Sequence, residues 1–549
     1  MEDEARAERA AVRSTVFGHM AGIVLAPTVK ALWDRGVLQQ LRDSRGWLRL
    51  REIVEHNSAN AGYLRVALRL LSSCGWLEQR IEDDGSSVSY RLTGEGELAV
   101  RLAPPLYGEV VPFIPQAMFL EDYLSGDTEG GAPPLLCALV ERARHGWGIG
   151  PSEDPREASL GRLLRRHLDG MLVGPAMVAL ARNGVLRRLE AASVAPDGIG
   201  ADTAGLGCIF ELLEAIGWAQ RAARGVELTA PGRDAARIAS AYGVTVSYLP
   251  LFNVLPALLF GNARLPRADE SGIELLVNRA MNVWGSGGAH GTYFRKVDEI
   301  IVEIFDRPLE RQPQGICDMG CGDGALLEHL YEVVRRRTAR GRSLDSHPLV
   351  LVGADFNKVA RRVAKQRLRR SGIPSFHIIP GDINRPARLA GDLEQLDLDV
   401  HDLLHVRSFL DHNRPYSPPV GYTPGTRSSR SSGAFARLGD EIPPDALEEN
   451  LARHLRRWAP YVRRYGLLVL ELHTLAPELV AANLDRTPAV AYDGTHGFSD
   501  QYLVELPIFL DCAREAGLRA DERYQCRFPP SELATVSLSF FEALEAGSA

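Results

Sequence analysis

The sequence predicts an α/β domain built on a parallel sheet, preceded by two tandem copies of a smaller, mainly helical unit. Three observations predict it. Apolar runs that end in an acid recur between residues 315 and 382, with helical segments between them. Residues 27–148 are echoed, in the same order, by residues 175–285. The composition, 45% hydrophobic and 24% charged over 549 residues, is that of a folded chain with room for several domains.

The echo comes first in the chain. Pro27, Leu32, Gly36 and Leu38 match Pro175, Leu180, Gly184 and Leu186. Leu70-Leu71, Gly75-Trp76, Leu92-Thr93 and Gly96 match Leu212-Leu213, Gly217-Trp218, Leu228-Thr229 and Gly232. Tyr107-Gly108, Pro115 and Trp147-Gly148 match Tyr242-Gly243, Pro250 and Trp284-Gly285. An ordered series of this kind indicates duplication, with loop deletions changing the spacing. Each copy reads helix, turn, amphipathic helix, Gly-Trp, short hairpin, Leu-Thr and a further helix. The first copy is assigned to residues 1–150, the second to 151–285 and the α/β domain to 286–549.

The α/β domain follows from its own periodicity. A short apolar strand ends at Asp318, glycines stand at 320, 322 and 324, and a helix runs from Ala325 to Val334. Glycine lets the chain turn sharply and approach a ligand closely, and the helix start offers free N–H groups to a carboxylate. Residues 348–356 form a second strand ending in Asp355, before a basic helix at 358–370. Residues 376–382 form a third, ending in Asp382. A fourth strand within 403–409 places Asp411 and His412 just past its end, and a fifth, 466–474, ends near His473. Residues 492–502 read as a polar loop before a helix at 503–516, and residues 282–294 as a glycine-rich loop at the domain entrance. Such a sheet carries its site at the carboxyl edge of the strands.

An acid at the strand end followed by three glycines and a second acid-ended strand resembles the class I S-adenosylmethionine (SAM) methyltransferases, which have a Rossmann-like fold. The resemblance implies SAM held by Asp318, Gly320, Gly322, Asp323 and Gly324, by Asp355 and Phe356 at the ribose, and by Asp382 and Ile383 at the adenine. The duplicated unit resembles the winged-helix module that precedes the catalytic domain in many small-molecule O-methyltransferases. There it builds dimer contacts and roofs the pocket, so a homodimer through the repeats is expected. The second copy joins the catalytic domain directly and is the expected lid.

The histidines admit two readings. One is metal-free O-methylation with His412 or His473 as general base. The other is a mononuclear site in which imidazole and side-chain oxygens leave positions open, which suits Fe(II) or Mn(II). Three segments (282–290, 409–416 and 495–502) resemble the metal-dependent C-methyltransferases of polyketide loading modules. That resemblance implies His412 and Gln501 as metal ligands with Asp411 beside them, and a malonyl-type acyl thioester on a carrier protein as substrate. His290, Tyr293 and His473 are candidates for substrate contact or proton removal. A free 2-oxo acid would chelate the same metal. The non-enzyme alternative is a SAM-sensing winged-helix regulator.

Charge bounds the partners. A net charge of −7 argues against nucleic acid. The helix 61–73 that would read a groove carries only Arg65 and Arg69, and its counterpart 205–216 carries no basic residue. Arg361, Arg362, Lys365, Arg367, Arg369 and Arg370 crowd one helix, and Arg335 to Arg337 another, either as a solvated face or as a dock for an acidic carrier protein. No apolar run of membrane length and no secretory leader is read, and the seven cysteines contain no C-x-x-C pair, so buried thiols in a cytoplasmic enzyme are expected. Residues 413–445, rich in Pro, Gly and Ser, read as a flexible insertion near the pocket mouth.

Overall fold

Three helices organise the N-terminal half: α1 (Glu2–Arg35), α2 (Ala61–Ser73) and α3 (Pro155–Arg182). The computed structural model describes residues 2–544 except 82–86, 126–132, 196–202, 224, 271 and 288–289, without the side chains of 2–3, 134, 203 and 290–292. The duplication is a structural fact. α1 and α3 open the two copies and cross at matched glycines. A Cβ on Gly22 would lie 2.2 Å from the His167 carbonyl oxygen, and one on Gly170 would lie 2.3 Å from that of His19. At the crossing each copy bonds the other: His19 Nδ1 meets Tyr242 Oη at 2.7 Å, and His167 Nδ1 meets Tyr107 Oη at 2.6 Å. The two copies thus pair with each other inside one chain through matched residues.

The shared motif has a local cause. Gly75 and Gly217 take φ of +73° and +76°, which only glycine adopts without strain. Thr93 and Thr229 cap the following helices by accepting from the N–H of Gly96 and Gly232, and each donates back to the carbonyl of Gly75 or Gly217 at 2.7 Å. A Cβ on Gly96 or Gly232 would collide with the Trp76 or Trp218 carbonyl, at 1.9 and 1.8 Å. The wing hairpins pair Leu77–Ile81 with Val88–Leu92 and Ala219–Ala222 with Gly225–Leu228. Short helices then lead to the catalytic domain, among them α4 (Ala241–Ser247) and α5 (Arg279–Gly287).

The catalytic domain opens with α6 (His290–Phe305). Its main sheet has eight strands: β1 (Gly315–Met319), β2 (Val350–Asp355), β3 (Phe376–Pro380), β4 (Leu403–Ser408), β5 (Leu467–Leu472), β6 (Leu518–Ala520), β7 (Cys526–Phe528) and β8 (Val536–Ala543). Their order is β6-β8-β5-β4-β1-β2-β3, with β7 also paired to β8. β1 to β5 are parallel, and β8 runs antiparallel to its neighbours. The strand order reverses between β1 and β4, which opens the crevice there. α7 (Ala325–Arg337) and α8 (Lys358–Arg370) cross between the first three strands.

Several expectations are corrected. The glycine-rich segment 282–294 is helical on both sides of residues 288–289, which lie outside the described residues. Gly285 is there for contact, since a Cβ would lie 2.5 Å from the Val244 backbone nitrogen. The expected loop 492–502 is largely a helix, α9 (Ala489–Gly497). The insertion 413–445 is tied down along its length. Arg427 pairs with Glu448 and Glu515, Ser431 and Ser432 donate to Glu505, Tyr422 donates to Asp445, and residues 435–437 and 440–442 form a hairpin. Cys137 and Cys208 form a disulfide between the two copies rather than free thiols. Residues 4–35 are long and apolar enough to cross a membrane, but 78% of that apolar stretch is buried inside the fold, so core packing accounts for it.

The first copy also packs on the catalytic domain. α2, from the first copy, is docked on the catalytic domain. Buried Arg69 pairs with Asp493 and donates to Thr474 Oγ1, the Leu475 carbonyl and the Ser432 carbonyl, at 2.9, 2.6 and 2.8 Å. Buried Arg65 pairs with Glu441 of the inserted hairpin. The helix that would read a DNA groove is therefore spent on holding the two halves together.

Candidate active site

The cofactor half of the site lies along the ends of β1, β2 and β3. Asp318 is buried, and its Oδ1 has no partner among the described residues. Burial, with Asp355 and then Asp323 nearby, pushes its carboxyl up to about 8. Gly320, Gly322 and Gly324 all take positive φ, of +82°, +54° and +81°. A side chain at Gly320 would press on Leu410, 2.9 Å away. Asp355 accepts from the N–H of Gly322 at 3.0 Å and of Asn357 at 2.7 Å, which joins the β2 end to the glycine loop. Burial also raises the Asp355 carboxyl.

The other residues expected here divide into ligand-facing and structural. Phe356 stands 86% exposed beside Asp355, a large apolar face without a cover. Asp323 caps Ala325 and pairs with Arg367 at 2.6 Å, so it ties the loop to α8. Asp382 is half-buried at the β3 end and accepts from the Asn384 N–H, while the Ile383 carbonyl takes the indole N–H of Trp458 at 2.7 Å. Arg361 donates to the Asp355 and Phe356 carbonyls, so part of the basic face of α8 serves the fold.

The acceptor half lies across the crevice, past β4 and β5. Phe409 turns the chain with φ of +55° and bonds the Leu470 carbonyl, which brings residues 411–413 back over β5. There His412 donates Nδ1–H to the Glu471 carboxylate at 2.5 Å, and its backbone N–H reaches the same group. A carboxylate only accepts, so the proton of this bond sits on Nδ1, and in the neutral ring Nε2 carries the lone pair. His496 on α9 is fixed likewise: Nδ1 faces the Tyr492 carbonyl at 2.7 Å. Burial, helped by His412, holds its pKa down at about 3, so it is neutral at physiological pH. The two rings meet edge to face with centroids 5.1 Å apart. Gln501 completes the group, donating through Nε2 to Tyr248 Oη at 2.7 Å and Ser499 Oγ at 2.8 Å. Its neighbour Asp500 is held from both copies, by Tyr63 and Arg267. Beside them is a cavity of about 20 Å³ lined by Arg69, Thr474, Asp493 and Gln501.

Two expected site residues do not join the group. Asp411 is buried, and its Oδ1 accepts from Arg407 at 2.7 Å and His454 at 3.0 Å. Burial works against its charge, yet Arg407 and His454 hold the carboxyl well below the usual range. Its Oδ1 is thus a buried counter-ion, while its Oδ2 has no partner among the described residues. His473 spends both nitrogens, on the Val504 carbonyl at 3.1 Å and Ser537 Oγ at 2.8 Å, and burial lowers its pKa to about 4. It cannot act as the base. Tyr293 stacks edge-on against Phe528 and Phe409 at 4.9 and 6.0 Å, walling the end of β4. The His290 side chain lies outside the described residues. Glu471 and Tyr248, which contact His412 and Gln501, were not singled out by the sequence, and His496 was not assigned as a ligand. The signal for His496 is its place in the segment 495–502, five residues before Gln501.

The comparisons agree with this build. Family models match the AprA N-terminal domain at residues 12–79, the AprA winged helix domain at 169–262 and the AprA MT2-like domain at 274–539. The chain is a SAM-dependent methyltransferase with an AprA MT2-like catalytic domain. No curated protein matches this methyltransferase. Solved structures resemble it distantly. Mitomycin 7-O-methyltransferase MmcR is 14% identical over 70% of this chain and 98% of its own, with a TM-score of 0.42. Human N-acetylserotonin methyltransferase in complex with SAM is 12% identical over 72% and 100%, with a TM-score of 0.38. An O-methyltransferase family 2 protein from Planctomyces limnophilus, in complex with apigenin, is 10% identical over 97% and 96%, at 0.38. At that distance the likeness says nothing of the acceptor.

Proposed function

We propose that the methyltransferase moves the SAM methyl group to the α-carbon of a malonyl-type acyl thioester on a carrier protein, using one Fe(II) or Mn(II) ion, in polyketide-type biosynthesis. The observation that carries this reading is the meeting of His412, His496 and Gln501 at the crevice where the cofactor half ends. The donor set fits a divalent ion: two imidazole nitrogens with free lone pairs and one amide oxygen. The Glu471 carboxylate behind His412 is the outer support such ligands use. The orphaned Asp318 oxygen, the positive-φ glycines and the uncovered Phe356 ring fit SAM.

When bound, SAM supplies an electrophilic methyl group and the ion supplies polarisation of two substrate carbonyl oxygens, which eases loss of the proton between them. His412 Nε2, His496 Nε2 and Gln501 Oε1 would hold the ion. Glu471 keeps the His412 proton on Nδ1. Asp318 takes the ammonium of SAM and Asp355 its ribose hydroxyls. Tyr293, Phe409 and Phe528 exclude water from the end of β4.

A second reading has one observation in its favour. The Glu471–His412 pair is also a positioned general base, which would serve metal-free O-methylation of a hydroxyl. The test offers the enzyme malonyl-loaded carrier protein, a free 2-oxo acid and a phenol in parallel, each with SAM, and reads product mass. Methylated carrier-bound product supports the proposal. Methylation of the phenol alone rejects it, and methylation of the 2-oxo acid alone removes the carrier protein from it.

A further inference from the structure

We propose that Tyr248 is a positioning residue for Gln501, and that it marks where the second copy departed from the first to serve the site. The inference rests on the metal reading above. The orientation of the Gln501 amide is set by its neighbours. Ser499 donates its own hydroxyl proton to the Thr495 carbonyl at 2.7 Å, so toward Gln501 it can only accept. The amide must therefore turn its NH₂ to Ser499. Tyr248 Oη receives the second amide proton at 2.7 Å. With both protons taken, Oε1 is the atom left to face His412 and His496.

The duplication supplies an internal control. Tyr107-Gly108 and Pro115 match Tyr242-Gly243 and Pro250 with no gap, so Phe113 stands in the first copy where Tyr248 stands in the second. Both are buried in the fold, and Phe113 is fully so. The same run shows Val110 against Thr245 and Pro112 against Ser247. Only the copy that meets Gln501 carries hydroxyls at these positions. Ser247 uses its hydroxyl to accept from Asn282 on α5 at 3.1 Å, and Tyr248 uses its own on Gln501. The architecture tolerates phenylalanine at this place, as Phe113 demonstrates, so the hydroxyl is kept for what it touches.

The test titrates apo protein with Mn(II) alone, following free Mn(II) by electron paramagnetic resonance. Wild type, Tyr248→Phe and Ser499→Ala are compared, with SAM affinity and Tm measured on each. Tyr248→Phe is expected to weaken Mn(II) binding about tenfold, as loss of an outer-shell partner does, with SAM affinity and Tm unchanged. Ser499→Ala, which removes the other acceptor, is expected to act in the same direction and decides the matter if Tyr248→Phe lowers Tm. Wild-type Mn(II) affinity in the folded variants would overturn the role of Tyr248 while leaving the metal site standing. Absence of Mn(II) binding by wild type would overturn the metal reading and this inference together.

Discussion

The two halves of the site are made differently. The cofactor half comes from one stretch, Asp318 to Ile383, and its contacts are to near neighbours, as in the Gly322 N–H to Asp355 bond. The acceptor half is gathered from far apart: Tyr248 from the second copy, His412 after β4, Glu471 within β5, His496 and Gln501 around α9, with Arg69 of the first copy behind them. Their electrostatics differ as well. Burial raises the carboxyls of Asp318 and Asp355, while it lowers the imidazole of His496. One half favours a cation, while the other holds a neutral imidazole at His496. The contrast teaches that the cofactor is bound by local sequence and the acceptor by the assembled fold.

The sharpest way to break the comparison is His412→Ala. Turnover should fall on the order of 10²–10³-fold, as when a preorganised transition-state contact is removed, while SAM affinity stays at the wild-type value. Equal loss of SAM binding in isothermal titration would show that the halves are not separate. Next is Arg69→Ala. It leaves Asp493 buried and unpaired beside Gln501, so denaturant unfolding should show a loss of about 3–5 kcal/mol. A neutral result would mean that α2 merely rests on the catalytic domain.

A smaller effect should come from pH. The Asp318 carboxyl sits at about 8 in the empty site, and an ammonium held against it favours the ionised form. Binding then releases a proton below pH 8, so SAM affinity should rise from pH 6 to 8 and level off above. Because the folded value lies above the unfolded one, the same group makes the empty protein less stable as pH rises from about 4 to 8. Asp318→Asn should weaken SAM by about tenfold or more and flatten the profile. A slope unchanged in Asp318→Asn would place the titrating group elsewhere. The smallest change is predicted for His473→Gln, whose pH–rate profile should match wild type because both imidazole nitrogens already serve the fold.

How much was legible follows the same division. The strands ending at Asp318 and Asp355 and the helix Lys358–Arg370 were readable because each depends on its own apolar period and its own glycines. The duplication was readable because Gly75, Trp76, Thr93 and Gly96 form a closed set of local contacts in each copy. The acceptor half was not. Gly494 and Gly497 suggested a loop, yet a Cβ on them would lie 2.1 Å from Val24 and 2.8 Å from Val66, so they let α1 and α2 close on α9. Asp411 and His412 are adjacent in sequence but take different partners, Arg407 and Glu471, which no local pattern reveals. The serines and arginines of 413–445 looked free because their partners Glu448, Glu505 and Glu515 come later in the chain.

The central claim is that the acceptor half works through a bound divalent ion. It is tested most directly by intact mass of malonyl-loaded carrier protein after reaction with SAM and metal-stripped enzyme, with and without added Fe(II) or Mn(II). A gain of one or two methyl masses is expected only with metal, and is expected to be lost in His412→Ala and Gln501→Ala. Full methylation by the stripped enzyme would contradict it and leave His412 as a general base.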